Sequence, residues 1–115
     1  MELKQITLLF KKKGKSSTGA PRNSFEKVVS TCTLFNKDSN YNNEKGHFSI
    51  TNEVKIKTHR EILKHKIAGT EVNCNLFIMD DNWYQIDRTN VYDRLTTFVF
   101  ATEIDGGIYN ETEIN

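Results

Sequence analysis

The residues able to do chemistry are few, and their spacing argues against most of it. Gly14-Lys15-Ser16 resembles the end of a phosphate-binding loop, but that motif needs a glycine five residues before Gly14, where Leu9 stands. Pro21 follows where a helix should begin and aim its N-terminus at phosphate. His47, His59 and His65 are the imidazoles open to a metal. His59 and His65 stand six apart, on different faces of a helix, and neither has a Cys or carboxylate partner at ligand spacing. Surface histidines and no metal site are the expectation. Asp80-Asp81 forms a carboxylate pair of the kind used in general acid–base work, yet adjacent aspartates between two apolar runs suit a turn. Cys32 and Cys74 both fall on strand-like alternation with no histidine placed to activate them. In a reducing compartment they read as small core residues rather than a disulfide. Asn110-Glu111-Thr112 matches a glycosylation sequon without an export signal to make it meaningful. No catalytic residue, no cofactor and no enzyme activity are expected.

Charge is more informative. Lys11-Lys12-Lys13-Gly14-Lys15, with Arg22 and Lys27, makes a basic cluster near Phe10, Phe25 and Tyr41. Small β-barrels bind single strands with such a groove and stacking aromatics. Against that stands a net charge of only +1, with no aromatic RNA-binding signature, so a solvated loop or one meeting an acidic partner is the better reading. The balance is uneven along the chain: residues 1–66 carry fourteen Lys/Arg against six Asp/Glu, and residues 67–115 carry two against nine. If the two parts form different surfaces, copies can stack head to tail, positive against negative. If their strands interleave, the charges mix.

The elements that position these residues are strands. With 115 residues there is room for one domain and a modest core. No run approaches a membrane span and no signal-peptide core follows the start, which points to a cytoplasmic site of synthesis. Ile6, Leu8 and Phe10 alternate as the inward face of an opening strand. A basic loop over 11–23, a β-rich stretch from Phe25 to Phe35 and a polar loop over 36–46 follow. Phe48, Ile50, Val54 and Ile56 then face inward on a second clear strand. Thr58 and Glu61 fit a capping box, and Gly69 a stop, which predicts a short helix over His59–Ala68 with Leu63 and Ile67 buried.

From Glu71 to Phe100 the spacing predicts a hairpin. A three-residue loop with Asn82 in the left-handed position pairs Ile78 with Tyr84 and Leu76 with Ile86. That register leaves Phe77, Met79 and Trp83 as an apolar group on the outer face, a candidate protein interface. Leu95-Thr96-Thr97-Phe98-Val99-Phe100 is apolar on both faces, as in a central or barrel-closing strand. The fold class is therefore mainly β: a small antiparallel barrel or sandwich with one short helix and long loops. Residues 1–104 form the single β-rich domain, and 105–115 an acidic flexible tail.

The Ile6-Thr7-Leu8-Leu9-Phe10 strand and the block from Ile62 to Val91 together resemble tailed-bacteriophage head–tail connector proteins of the head-closure or head–tail joining type. In that block Leu63 to Gly69 leads into Glu71-Val72, an acidic turn, Trp83-Tyr84-Gln85-Ile86 and Val91. The resemblance implies a non-enzymatic virion subunit, assembled in the host cytoplasm into an oligomeric ring. Such a ring sits below the portal and its adaptor, extends the DNA channel and offers a surface to tail proteins. On this reading Phe77, Met79 and Trp83 pack on a neighbouring subunit or on the chain's own helix. Lys11, Lys12, Lys13, Lys15 and Arg22 meet an acidic partner or line the channel with non-specific contact to packaged DNA. A tail terminator, a tail-completion protein and a free nucleic-acid-binding barrel remain as alternatives.

Overall fold

The computed structural model describes residues 1–15, 21–44, 47–106 and 113–114, with side chains for 1–11, 25–39 and 51–106. Its strands are β1 (Glu2–Lys15), β2 (Pro21–Glu44), β3 (His47–His59), β4 (Lys64–Ile67), β5 (Thr70–Asn73), β6 (Leu76–Met79), β7 (Asn82–Val91), β8 (Thr96–Ile104) and β9 (Glu113–Ile114). Six of them hydrogen-bond in the order β1-β6-β7-β8-β3-β2, and β2 pairs back to β1. The result is a closed antiparallel barrel of six strands. Alternate residues point inward: Ile6, Leu8 and Phe10, then Cys32, Val54 and Ile56, then Phe77, Met79, Tyr84, Val99 and Ala101, all buried in one core. The inward faces read from β1 and from the Val54–Ile56 part of β3 are those observed. Among the described residues no helix is long and apolar enough to cross a membrane.

Three expectations change. First, the two long loops are mostly strand. β1 pairs with β2 as far as Lys15↔Pro21, and β2 continues through the region read as the 36–46 loop, pairing with β3 as far as Glu44↔His47. These polar stretches form hairpin arms because each strand finds a partner for its backbone groups, whatever its side chains prefer. Most of the 105–115 tail lies outside the described residues, but Glu113–Ile114 runs parallel to Ser24–Phe25 as β9.

Second, the helix over His59–Ala68 is absent. Thr58 belongs to β3, where it is buried and its hydroxyl donates to the Thr31 carbonyl at 3.3 Å. A single 3-10 turn (Arg60–Leu63) follows without a side-chain cap. The β4–β5 hairpin then closes through Ala68 (φ 52°) and Gly69 (φ 81°). A helix of ten residues is marginal on its own, whereas the 3-10 turn and the hairpin together pack Ile62, Leu63, Ile67 and Val72 against the barrel core.

Third, the β6–β7 register is shifted. Asp80 (φ 51°) and Asp81 (φ 65°) form a two-residue turn with both residues left-handed, the geometry that matches the twist of hairpin strands. The pairs are Phe77↔Tyr84, Ile78↔Trp83 and Met79↔Asn82. The period also restarts at Cys74-Asn75, because β5 leaves the barrel sheet before β6 enters it. Phe77 and Met79 are therefore 0% and 1% exposed inside the barrel, with the Phe77 ring stacked on Tyr84 at 5.3 Å. They present no surface to a partner.

Trp83 points to the opposite side of the wall. It joins a second buried layer on the barrel's outer side, formed by Leu9, Phe25 and Leu76 with Ile78 and Ile104 packed against them. Gly106 crosses Trp83 so closely that a Cβ there would come within 2.5 Å of the indole. Phe25 meets the same ring edge-on at 6.5 Å.

Candidate interaction surface

The strand order has an electrostatic result. β1, β2 and β3 are contiguous around the barrel, as are β6, β7 and β8. Among the described side chains, β1, β2 and β3 hold six Lys/Arg (Lys4, Lys11, Lys27, Lys37, Lys55, Lys57) against four Asp/Glu, and residues 76–104 hold two against five. The charge asymmetry of the sequence thus survives folding as two differently charged walls.

The walls meet at β3–β8, and an aromatic–cationic face forms there. Outward Phe98 and Phe100 on β8 alternate with inward Thr97, Val99 and Ala101. Lys55, paired with Phe100 across β3–β8, places its ammonium 4.4 Å from the Phe98 ring centre and 5.5 Å from that of Phe100. The Arg88 guanidinium lies 4.0 Å over Phe100, and Lys57 4.0 Å over Tyr92. Phe35 and Tyr92 each meet the Phe98 ring edge-on, at 5.2 and 5.3 Å. Such cation–ring contacts contribute about 0.5–1 kcal/mol each at exposed sites, and they hold the cations in place. None of the ion pairs among the described residues involves Lys55, Lys57 or Arg88.

Large apolar side chains rim this face. Leu3 is 75% exposed, Tyr92 58% and Leu95 63%, with Phe35 and Val91 also open. A groove of about 380 Å³ runs between Leu3 and Phe35 and over Lys57, His59 and Thr96. The β7–β8 loop that carries Tyr92 and Leu95 is ordered by Asp93. Its carboxylate accepts the Thr96 hydroxyl at 2.8 Å and the Leu95 and Thr96 amides at 2.9 and 2.8 Å. Those bonds, the Thr96 hydroxyl first, hold the carboxyl below its ordinary value of 3.8. A carboxyl whose folded value is depressed stabilises the fold fully above the unfolded value, and that contribution is lost as pH falls through the folded one. Acid titration should therefore release the Leu95 and Thr96 amides below pH 3.8. Asp93→Asn should remove that step, seen as the difference between the two proteins' amide shifts.

No family model matches the chain, and no curated protein matches its sequence. The fold has a counterpart. A chain from the virion of a native gene transfer agent (GTA) particle is similar in structure, with a TM-score of 0.57 and 11% sequence identity. The match covers 90% of this chain and 97% of that one. At this identity the likeness is one of fold.

The other residues singled out by sequence fall as follows. Lys11, Lys12, Lys13, Lys15 and Arg22 are brought together on the β1–β2 arm, where Lys11 lies opposite Phe25 and Gly14 opposite Arg22. Lys11 is exposed, and the other four side chains lie outside the described residues. Cys32 and Cys74 are both buried and free, and burial pushes each thiol up to about 11. That suppresses the thiolate needed for nucleophilic work. His65 lies 2.9 Å from a Glu26 carboxylate oxygen and against the Phe10 ring. Among the described residues no three His, Cys, Asp or Glu side chains gather as metal ligands would. The Phe98–Phe100 face was not singled out. Its signal was present in the two-sided apolar run from Leu95 to Phe100, and becomes specific once Lys55 and Lys57 are placed on the neighbouring strand.

Proposed function

We propose that this chain is a non-enzymatic structural subunit of a tailed-phage-like particle. Its place is the head–tail junction, as a connector or head-closure ring subunit between the portal and adaptor on one side and the tail on the other. The main support is that nearly the whole of this chain and nearly the whole of a virion chain share one barrel architecture. The resemblance of Ile6–Phe10 and of Ile62–Val91 to connector proteins favours the junction over other sites in a particle. The basic wall and the Lys11–Lys15 arm suit a subunit that lies near packaged DNA, and the exposed apolar rim suits one that is covered on assembly.

The test is genetic and visual. A tagged copy should label particles at the junction between head and tail. Loss of the gene should leave DNA-filled heads and finished tails that fail to join. Abnormally long tails would move the assignment to a tail terminator. Normal particles assembled without the chain would end the structural reading.

A further inference from the structure

We infer that the outer face of β3 and β8 receives the Asp80–Asp81 turn of a second copy of this chain, an inference that rests on reading the chain as a ring subunit. Lys55, Lys57 and Arg88 are fixed on aromatic rings and have no ion-pair partner among the described residues. A face of that kind calls for an anionic partner. Its surroundings say which class. The ring faces nucleic-acid bases would stack on are already taken by the cations. Leu3, Val91 and Leu95 stand more than 60% exposed beside them, and would gain nothing from a phosphate backbone. Aromatic residues and arginine in one patch are the composition of a protein interface.

The chain itself carries the complement. At the β6–β7 end Glu2, Asp80 and Asp81 come together with one cation, Lys4, which lies 2.6 Å from Glu2 and 3.0 Å from Asp80. That rim keeps a surplus of negative charge, and Asp81 stands exposed at the tip of the turn. Its position around the barrel matters as much as its sign. In the closed order β1-β6-β7-β8-β3-β2 the turn joins β6 and β7, three and two places from β3 with its Lys55 and Lys57, while Arg88 lies further along β7 itself. One copy therefore carries the cationic face and the acidic turn as two separate surfaces. Such a heterologous contact repeats from copy to copy and closes into a ring when the rotation allows.

Two variants test it in purified full-length chain. The face variant is Lys55→Glu/Lys57→Glu/Arg88→Glu. The turn variant is Asp80→Asn/Asp81→Asn, chosen because asparagine tolerates the left-handed backbone there. Wild-type chain should self-associate across a concentration series reaching the millimolar range at low salt, and less so as salt rises. Each variant alone should associate roughly tenfold or more weakly, with circular dichroism unchanged. Mixed in equal amounts they should form a heterodimer that grows no further, since each keeps one working surface. A monomeric wild type, variants that associate like wild type, or an inert mixture would each overturn the contact. So would a double-stranded oligonucleotide bound at physiological salt by wild type and not by the face variant. Junction labelling with unaffected self-association would refute this contact alone, whereas a working contact in a chain absent from particles would refute the virion role alone.

Discussion

Phe77→Ala is expected to cost about 3–5 kcal/mol of stability, as removal of a fully buried phenylalanine does. The ring has no exposed surface, stacks on Tyr84 and sits in the main core with Ile6, Leu8, Val99 and Met79. Its loss leaves a hole that strands held in a closed barrel cannot easily collapse to fill. For a domain of this size the melting temperature should fall by roughly 10–25 °C. Urea unfolding should show a lower midpoint with an unchanged slope. The experiment also decides the hairpin register. The three-residue turn goes with Phe77 as an exposed contact residue on the outer face, whose loss would cost little. With Asp80 and Asp81 both left-handed it points inward. A cost under about 1 kcal/mol, typical of surface substitutions, would mean that the two-residue turn is wrong.

Where side-chain periodicity alone decides, the chain was legible. Ile6, Leu8 and Phe10, and Val54 with Ile56, take the faces that their alternation demands. It was not legible where backbone conformation decides. Asp80 and Asp81 do not announce a pair of left-handed residues as Asn-Gly would, and a shift of one residue exchanges the two faces of a strand. The capping pattern at Thr58 was real as a pattern, but strand pairing with Thr97 of β8 and a side-chain bond to the Thr31 carbonyl claimed that residue first. The polar arms failed for the opposite reason: Asn36 to Glu44 has no apolar period, so nothing in its side chains records that β3 lies alongside. The candidate face was half legible. The uneven charge was plain in the sequence, but its survival depended on β1, β2 and β3 remaining neighbours, which is a property of topology.

Leu9→Ala gives the second large effect, and the less obvious one. Leu8 and Leu9 are consecutive on β1 and so point to opposite sides of the barrel wall, yet each is 1% exposed. A barrel with a wet exterior would bury the first and expose the second. Here Leu9 packs with Phe25 and Leu76, and Ile78, Trp83 and Ile104 extend that layer along the outside. Gly106 lies against Trp83 at one end of the layer, and β9 pairs beside Phe25 at the other. Both substitutions should therefore cost about 2–5 kcal/mol, the range for a buried leucine, instead of one being costly and one nearly neutral. Fluorescence separates their sites, because Trp83 is the chain's one tryptophan. Under native conditions Leu9→Ala should shift its emission, since it opens the layer that holds the indole. Leu8→Ala should destabilise to a similar degree with the native emission unchanged, because its cavity lies on the far side of the wall. If Leu9→Ala costs no more than a surface change, the outer layer contributes little, and the barrel stands on its inner core alone.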